Sequence, residues 1–264
     1  MNSITFPNQT DIQQFRKRGF VTLRGLLAKK LLHEQRDRIE HLVSERNRNT
    51  APLEERDTYK RAFIQITNLW RATEQVHPLV FHSTLAETAA RLMGVDGVRL
   101  YHDQALFKEP GGGHTPWHRD QVYWPLDTPH TVTAWIPLVD VPKEMGPLSF
   151  IPGSHHWKEG RSLVIGDESD AYFEDLVKRK NAVEERTAFK LGDVSFHSGW
   201  TLHRAGANNT WNQRAVMTVI FMDTAARVST TPTATQLIDR DAFIPGRNPG
   251  EPADTERNPI LWEQ

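Results

Sequence analysis

The sequence predicts a mainly β fold, a sandwich or barrel, with α-helices flanking it. Three observations predict it. Beyond Val98, short β-type runs separated by Gly, Pro and Asp follow one another: Val98 to Phe107, Thr131 to Leu138, Leu148 to Ile151, Thr187 to Lys190, Val194 to His197 and Arg214 to Met222. Before Val98 the apolar residues recur instead at helical spacing. The length of 264 residues is enough for one β-barrel domain with helical additions, or for two small domains. With no internal repeat and no second domain visible, the expected organisation is one domain over residues 1–264. It has a helical part at about 10–95, a β core at about 98–222 and an irregular tail at 223–264.

In chain order, Thr10 is expected to cap a short helix with Ile12 and Phe15 on one face, ended by Gly19 and followed by a strand at Phe20 to Leu23. A longer helix runs from Ala28 to about Asn47, carrying Leu31, Leu32, Ile39, Leu42 and Val43 on its apolar face. Another starts at Pro78, a good first-turn residue, and passes Leu85, Ala89 and Leu92 to stop at Gly94. The charged insert from Gly160 to Glu185 has part-helical patterning and is either a lid or a solvated connection. After Met222 the chain is rich in Pro, Thr and Asp with little periodicity.

Composition excludes several functions. With 32 Lys and Arg against 33 Asp and Glu, the net charge of −1 gives no electrostatic reason to bind nucleic acid or an anionic membrane, so a small-molecule substrate is expected. There is no cysteine, which removes disulfides, thiolate metal sites and cysteine nucleophiles together. Any metal must be held by histidine and carboxylate. The N-terminal stretch lacks the apolar run of a signal peptide, and no stretch is long enough to cross a bilayer, so the expected location is cytoplasmic. Histidine is the unusual component, with 12 copies, most of them between His102 and His203.

Chemistry concentrates in His114-Thr-Pro-Trp-His118-Arg-Asp120. In an extended backbone residues i and i+2 point to the same side, so His118 and Asp120 present an imidazole and a carboxylate to one point. His203, in the segment Ser-Gly-Trp-Thr-Leu-His-Arg-Ala-Gly, is the third candidate ligand. Two histidines and one carboxylate on one face of a metal leave positions open, as in non-haem Fe(II) oxygenases. The same set could hold Zn(II) in a hydrolase or isomerase. Arg214 opens a strand and shares a face with Val216 and Thr218. Pointing into a barrel, it needs an anion, either a bound carboxylate or a protein Asp or Glu.

The neighbouring residues have plainer readings. Trp117, Tyr123, Trp124 and Trp135 form an aromatic wall that grips an apolar substrate or simply fills the barrel. His155 and His156 belong to an exposed turn, His102 and His114 are the likeliest false ligands, and His197 supports the ligands or packs in the core. Gly111 to Gly113 lead into the metal strand and, with no helix behind them, do not make a phosphate loop.

Four ordered blocks resemble the phytanoyl-CoA dioxygenase family: FRKRGFVTLRGLL, QALFKEPGGGHTPWHRDQVYW, TAWIPLVDVPKEMGPLSFIPGSH and GDVSFHSGWTLHRAGANNTWNQRAV. The resemblance runs from Phe15 to about Phe221. It implies a double-stranded β-helix, the cupin-like jelly roll, binding Fe(II), 2-oxoglutarate and O₂. It implies His118, Asp120 and His203 as iron ligands, Arg214 as partner of the distal carboxylate of 2-oxoglutarate, and Trp135 and Gln104 as co-substrate pocket residues. Relatives that halogenate carry a small residue where Asp120 stands, so hydroxylation of a small metabolite, with release of succinate and CO₂, is the implied reaction. Many relatives have a hydroxyl residue where this chain has Ala205, so local hydrogen bonding to the co-substrate is expected to differ. Lys60 is a looser match to a family lysine near the co-substrate. The absence of a strong basic cluster argues against a CoA thioester substrate.

Overall fold

Two antiparallel sheets face each other across a cavity, and most of the helices pack behind the larger one. The computed structural model describes residues 6–47 and 51–264. The strands are β1 (Phe20–Leu23), β2 (Ile64–Thr67), β3 (Gly97–Lys108), β4 (Thr115–His118), β5 (Thr131–Pro137), β6 (Leu148–Phe150), β7 (Glu185–Arg186), β8 (Val194–Ser198), β9 (His203–Ala205), β10 (Arg214–Asp223) and β11 (Ile260–Glu263). The helices are α1 (Gln9–Arg18), α2 (Lys29–Arg46), α3 (Thr58–Ala62), α4 (Leu69–Ala72), α5 (His77–Val80), α6 (Ser83–Met93), α7 (Asp167–Arg179) and α8 (Ala234–Phe243). The larger sheet runs β1-β8-β5-β10-β3-β11, with β2 also paired to β3, and the smaller runs β4-β9-β6-β7. This is the jelly-roll arrangement expected of the sequence.

Period-two alternation decides which residues face the cavity. On β10, Ala215, Met217, Val219 and Phe221 join Val132, Ala134 and Ile136 of β5 in a core shared with Leu32 and Ile39 of α2 and Leu85 and Leu92 of α6. Each of these side chains larger than alanine, fully buried, contributes about 1.5–3 kcal/mol. The other face of the same strands carries Arg214, Thr218, Ile220, Thr133 and Trp135 into the cavity. A bulge in β3 changes this parity once. Ile220 pairs with His102 but Phe221 pairs with Leu100, so Tyr101 is an extra residue, and its ring lies 5.2 Å from that of His102.

The expected elements are present, with changes at their ends. Asn8, not Thr10, caps α1, in a reciprocal box with Asp11, and Gly19 closes the helix in the left-handed conformation. The helix expected from Pro78 to Gly94 is two helices, α5 and α6, separated by Phe81 and His82. In place of a strand at 187–190 there is an isolated bridge between Val141 and Phe189, and the strand lies earlier, at Glu185–Arg186. The tail is irregular except for two elements. Thr233 and Gln236 form a capping box that starts α8, and β11 extends the large sheet by pairing with the beginning of β3. Among the described residues no helix is long and apolar enough to cross a membrane.

Candidate metal centre

Register brings the two distant histidines together. β4 and β9 pair antiparallel, with His118 directly opposite His203, and their rings lie 4.1 Å apart between centroids. Arg119 is extended and Asp120 opens a short 3₁₀ turn immediately after β4, which swings the carboxylate under both imidazoles. Asp120 Oδ1 is 3.7 Å from Nε2 of His118 and 3.7 Å from Nε2 of His203. One ligand atom from each of the three residues lies within 4.8 Å of the others.

The surroundings orient these donors for a metal. Nδ1 of His118 is 2.8 Å from the Pro116 carbonyl, and Nδ1 of His203 is 3.0 Å from the Thr201 carbonyl. A carbonyl only accepts, so each Nδ1 carries its proton and each Nε2 lone pair is free to bind. The hydroxyl of Thr133 donates to Asp120 Oδ2 at 3.0 Å, and His197 Nε2 lies 3.4 Å from the same oxygen. Burial, reinforced for His118 by neighbouring His203, pushes both ligand imidazoles down to about 4, so they are neutral at physiological pH. Burial alone would raise the Asp120 carboxyl, but His203, His197 and His118 outweigh it and hold the group ionised. Two neutral imidazoles and a carboxylate are the protonation states a divalent cation requires.

The cavity that contains these three residues has a volume of about 370 Å³. Arg214 lines it, is 1% exposed, and is held below its usual range by burial, to about 9. Among the described residues no Asp or Glu pairs with Arg214; its Nη1 donates to the Gly146 carbonyl, and Nε has no partner. Gly146 is the residue required there. Its φ is +71°, and a Cβ would meet the Gly206 carbonyl oxygen at 2.2 Å. Lys108, opposite Arg214 in the β3–β10 register, is fully buried and pushed down to about 6 by burial and by the Arg214 charge. Its ammonium donates to the Gly113 carbonyl and reaches Thr115 Oγ1 at 3.5 Å.

The remaining sequence expectations divide. Trp135 and Gln104 both line the cavity; the Arg214 guanidinium lies 5.7 Å from the Trp135 ring, and Gln65 Nε2 donates to Gln104 Oε1 at 2.5 Å. Tyr123 and Trp124 line it too, whereas Trp117 packs under the Arg204 guanidinium at 4.5 Å, in a cluster with Phe173 and Leu176 of α7. His114 is exposed and pairs with Asp170 at 3.0 Å. His102 lines the cavity without joining the triad, and its Nδ1 is 3.2 Å from the Asp103 carbonyl. His197 is buried beside Asp120, as expected of a supporting residue. His155 is only half-buried in its turn and His156 is exposed. Lys60 is exposed, pairs with Asp57 at 3.2 Å, and does not line the cavity. Ala205 faces Thr115 across the β4–β9 register, so a hydroxyl is present opposite the position where the sequence lacks one.

In the 160–185 insert, α7 lies along the edge of β4. Asp170 accepts from the Trp117 amide at 2.8 Å, and the Ser169 hydroxyl donates to the Trp117 carbonyl at 2.9 Å. This satisfies an edge strand. Only Ile165 of the insert lines the cavity, with its amide donating to the Tyr123 hydroxyl at 2.7 Å. The reading of the sequence missed Asp239 and Phe243, which line the cavity from α8.

A jelly roll with a buried two-histidine, one-carboxylate face and an unpaired arginine in one cavity is the architecture of a non-haem metal oxygenase. The chain belongs to the phytanoyl-CoA dioxygenase family, whose model matches residues 15–216. It is similar to phytanoyl-CoA dioxygenase domain-containing protein 1 of Danio rerio, with 25% identity over 165 residues. That match covers 60% of this chain and 57% of the relative, so the chain spans less than two thirds of that protein. Among solved structures it is similar to the non-haem alpha-ketoglutarate-dependent carbocyclase SnoK from nogalamycin biosynthesis, with a TM-score of 0.79 and 26% identity, covering 96% of each chain. EctD from S. alaskensis, solved with 2-oxoglutarate and 5-hydroxyectoine, shares the fold with a TM-score of 0.72 and 18% identity, over 96% of this chain and 87% of that one.

Proposed function

We propose that this chain is an Fe(II)- and 2-oxoglutarate-dependent dioxygenase that hydroxylates a small-molecule metabolite and releases succinate and CO₂. The observation that carries the reading is Arg214: a buried guanidinium without a carboxylate partner, in the same cavity as His118, Asp120 and His203. An uncompensated buried charge costs several kcal/mol, and a bidentate carboxylate is the partner the guanidinium fork fits best. A Zn(II) hydrolase or isomerase would use the same three ligands but would leave Arg214 without a role. The family membership and the names of SnoK and EctD support the same co-substrate.

In this reading His118, Asp120 and His203 hold Fe(II), and Arg214 binds the distal carboxylate of 2-oxoglutarate. Lys108 caps the Gly113 carbonyl and reaches Thr115 behind Arg214, and Thr115 offers a hydroxyl that substitutes for the one absent at Ala205. Trp135 and Leu148 wall this end of the cavity, and Gln104 adds a polar group held by Gln65. Bound there, iron with 2-oxoglutarate and O₂ would supply the oxidising power to attack an unactivated C–H bond. The chain's own work is orientation and exclusion of water. Thr133 and His197 keep the Asp120 carboxylate ionised and aimed, and the backbone carbonyls of Pro116 and Thr201 fix both imidazole tautomers.

The test is release of succinate from 2-oxoglutarate, screened against a panel of metabolites with Fe(II) and O₂ supplied. Substrate-triggered succinate in the wild type, absent from Asp120→Ala, is the expected result. Succinate release from Asp120→Ala at the wild-type rate would overturn the ligand assignment.

A further inference from the structure

Opposite in character to the Arg214 end, the far end of the cavity holds a carboxyl group among aromatic rings. Asp239 reaches in from α8, and its Oδ2 accepts from the Tyr101 hydroxyl at 2.5 Å. Tyr101 is the extra residue of the β3 bulge, which explains how two successive rings, Tyr101 and His102, both reach this corner. Phe243, one turn further along α8, stacks on His102 at 4.1 Å and lies 5.5 Å from Tyr101; Trp124 is 5.6 Å from Tyr101. Among the described residues no Lys, Arg or His pairs with Asp239. Burial, followed by the charge of Asp120, pushes its carboxyl up to about 7 against the opposing effect of the Tyr101 hydrogen bond.

A carboxylate set among aromatic faces, with no protein cation to neutralise it, is the chemistry that receives an ammonium group: the acid supplies charge and the rings supply cation–π attraction. We infer that Asp239, held from behind by the Tyr101 hydroxyl and flanked in the cavity by Trp124 and Phe243, anchors a protonated amine on the substrate. This names the substrate class for the oxygenase site proposed above and rests on that reading. Arg214 and Ile220, which pairs with His102, are six residues apart on β10, so the cationic and anionic ends stand roughly 20 Å apart along the strand. The polarity sorts the two ligands. A dicarboxylate is drawn to Arg214, while an anionic substrate at the other end would face both Asp120 and Asp239.

The experiment measures binding, by ligand-observed NMR, of three small probes: benzylamine, its neutral counterpart benzyl alcohol, and benzoate. The full chain is used without metal, and again loaded with Fe(II) and 2-oxoglutarate under nitrogen. The expected result, in both states, is benzylamine bound at least about tenfold more tightly than benzyl alcohol, a gain of about 1.4 kcal/mol, with benzoate excluded from the loaded protein. Asp239→Asn, which keeps the shape and can still accept from Tyr101, removes the preference, whereas Asp120→Asn in the metal-free state retains it. Phe243→Leu weakens benzylamine severalfold and leaves the discrimination against benzoate. α8 contributes no fully buried residue, so neither variant threatens folding. Equal affinity for amine and alcohol, an unchanged preference in Asp239→Asn, or a preference that disappears with Asp120→Asn instead would overturn the inference. Amine selectivity without any substrate-triggered succinate would instead contradict the oxygenase reading alone.

Discussion

The two ends of the cavity are built from different kinds of structure. At the Arg214 end every group except Asp120, which opens the turn after β4, stands on a strand: Arg214 on β10, Lys108 on β3, Thr115 and His118 on β4, His203 on β9 and Trp135 on β5. Their positions follow from strand register, which cannot slip by one residue without exchanging the cavity face for the core face. At the Asp239 end β3 contributes Tyr101 and His102, but the groups set against them come from outside the sheets: Trp124 beyond the turn after β4, and Asp239 and Phe243 on α8. In the proposed function the sheets would hold the iron and 2-oxoglutarate, and the appended elements would select the substrate.

Substitutions at the two ends are expected to act separately. The largest effect is expected from Asp120→Ala, which removes a ligand and abolishes both tight metal retention and turnover, checked by metal analysis of the purified chain and by succinate release. Arg214→Ala should retain iron but raise the 2-oxoglutarate concentration needed for half-maximal turnover. Loss of one partner of a buried charge pair costs about 2–5 kcal/mol, or roughly 30-fold to a few thousandfold. Asp239→Asn should leave that requirement unchanged, and a large shift in it would mean that the two ends are not independent. Thr133→Val removes a hydrogen bond to Asp120, and metal affinity measured by chelator competition should fall about 10- to 100-fold. The smallest effect concerns pH. Burial pushes His102 down to about 4, so between about 6.5 and 4 the unfolded chain binds a proton that the folded chain does not. Stability is therefore lost as pH falls through that window, by up to about 1.4 kcal/mol per unit from this residue. His102→Gln should show a shallower fall in Tm over the same range.

How much of this was legible in the sequence follows the same division. His118, Asp120, His203 and Arg214 stand out in the sequence by side-chain type: an imidazole and a carboxylate two residues apart, a histidine after an apolar strand, and an arginine that opens a long strand of period-two pattern. The pairing of His118 with His203 was not visible, since β4 and β9 are too short to be recognised by alternation; only the blocks of family resemblance linked them. Lys108 sits at the end of β3 and reads as a solvated strand terminus until its burial against Arg214 is seen. α8 was hidden for a related reason. It contributes no fully buried residue, so its apolar positions form no stripe against the core, and Asp239 and Phe243 look like ordinary tail residues. The extra residue in β3 is likewise silent, because a bulge is a property of two strands in register and not of either one.

The most direct measurement is an anaerobic absorbance titration of the purified chain with Fe(II) and 2-oxoglutarate, alongside metal analysis. The expected result is one iron per chain and a weak visible band that appears only when both are present, needs more 2-oxoglutarate in Arg214→Ala, and is absent from Asp120→Ala. Retention of Zn(II) in preference to iron, with no band at saturating 2-oxoglutarate, would contradict it.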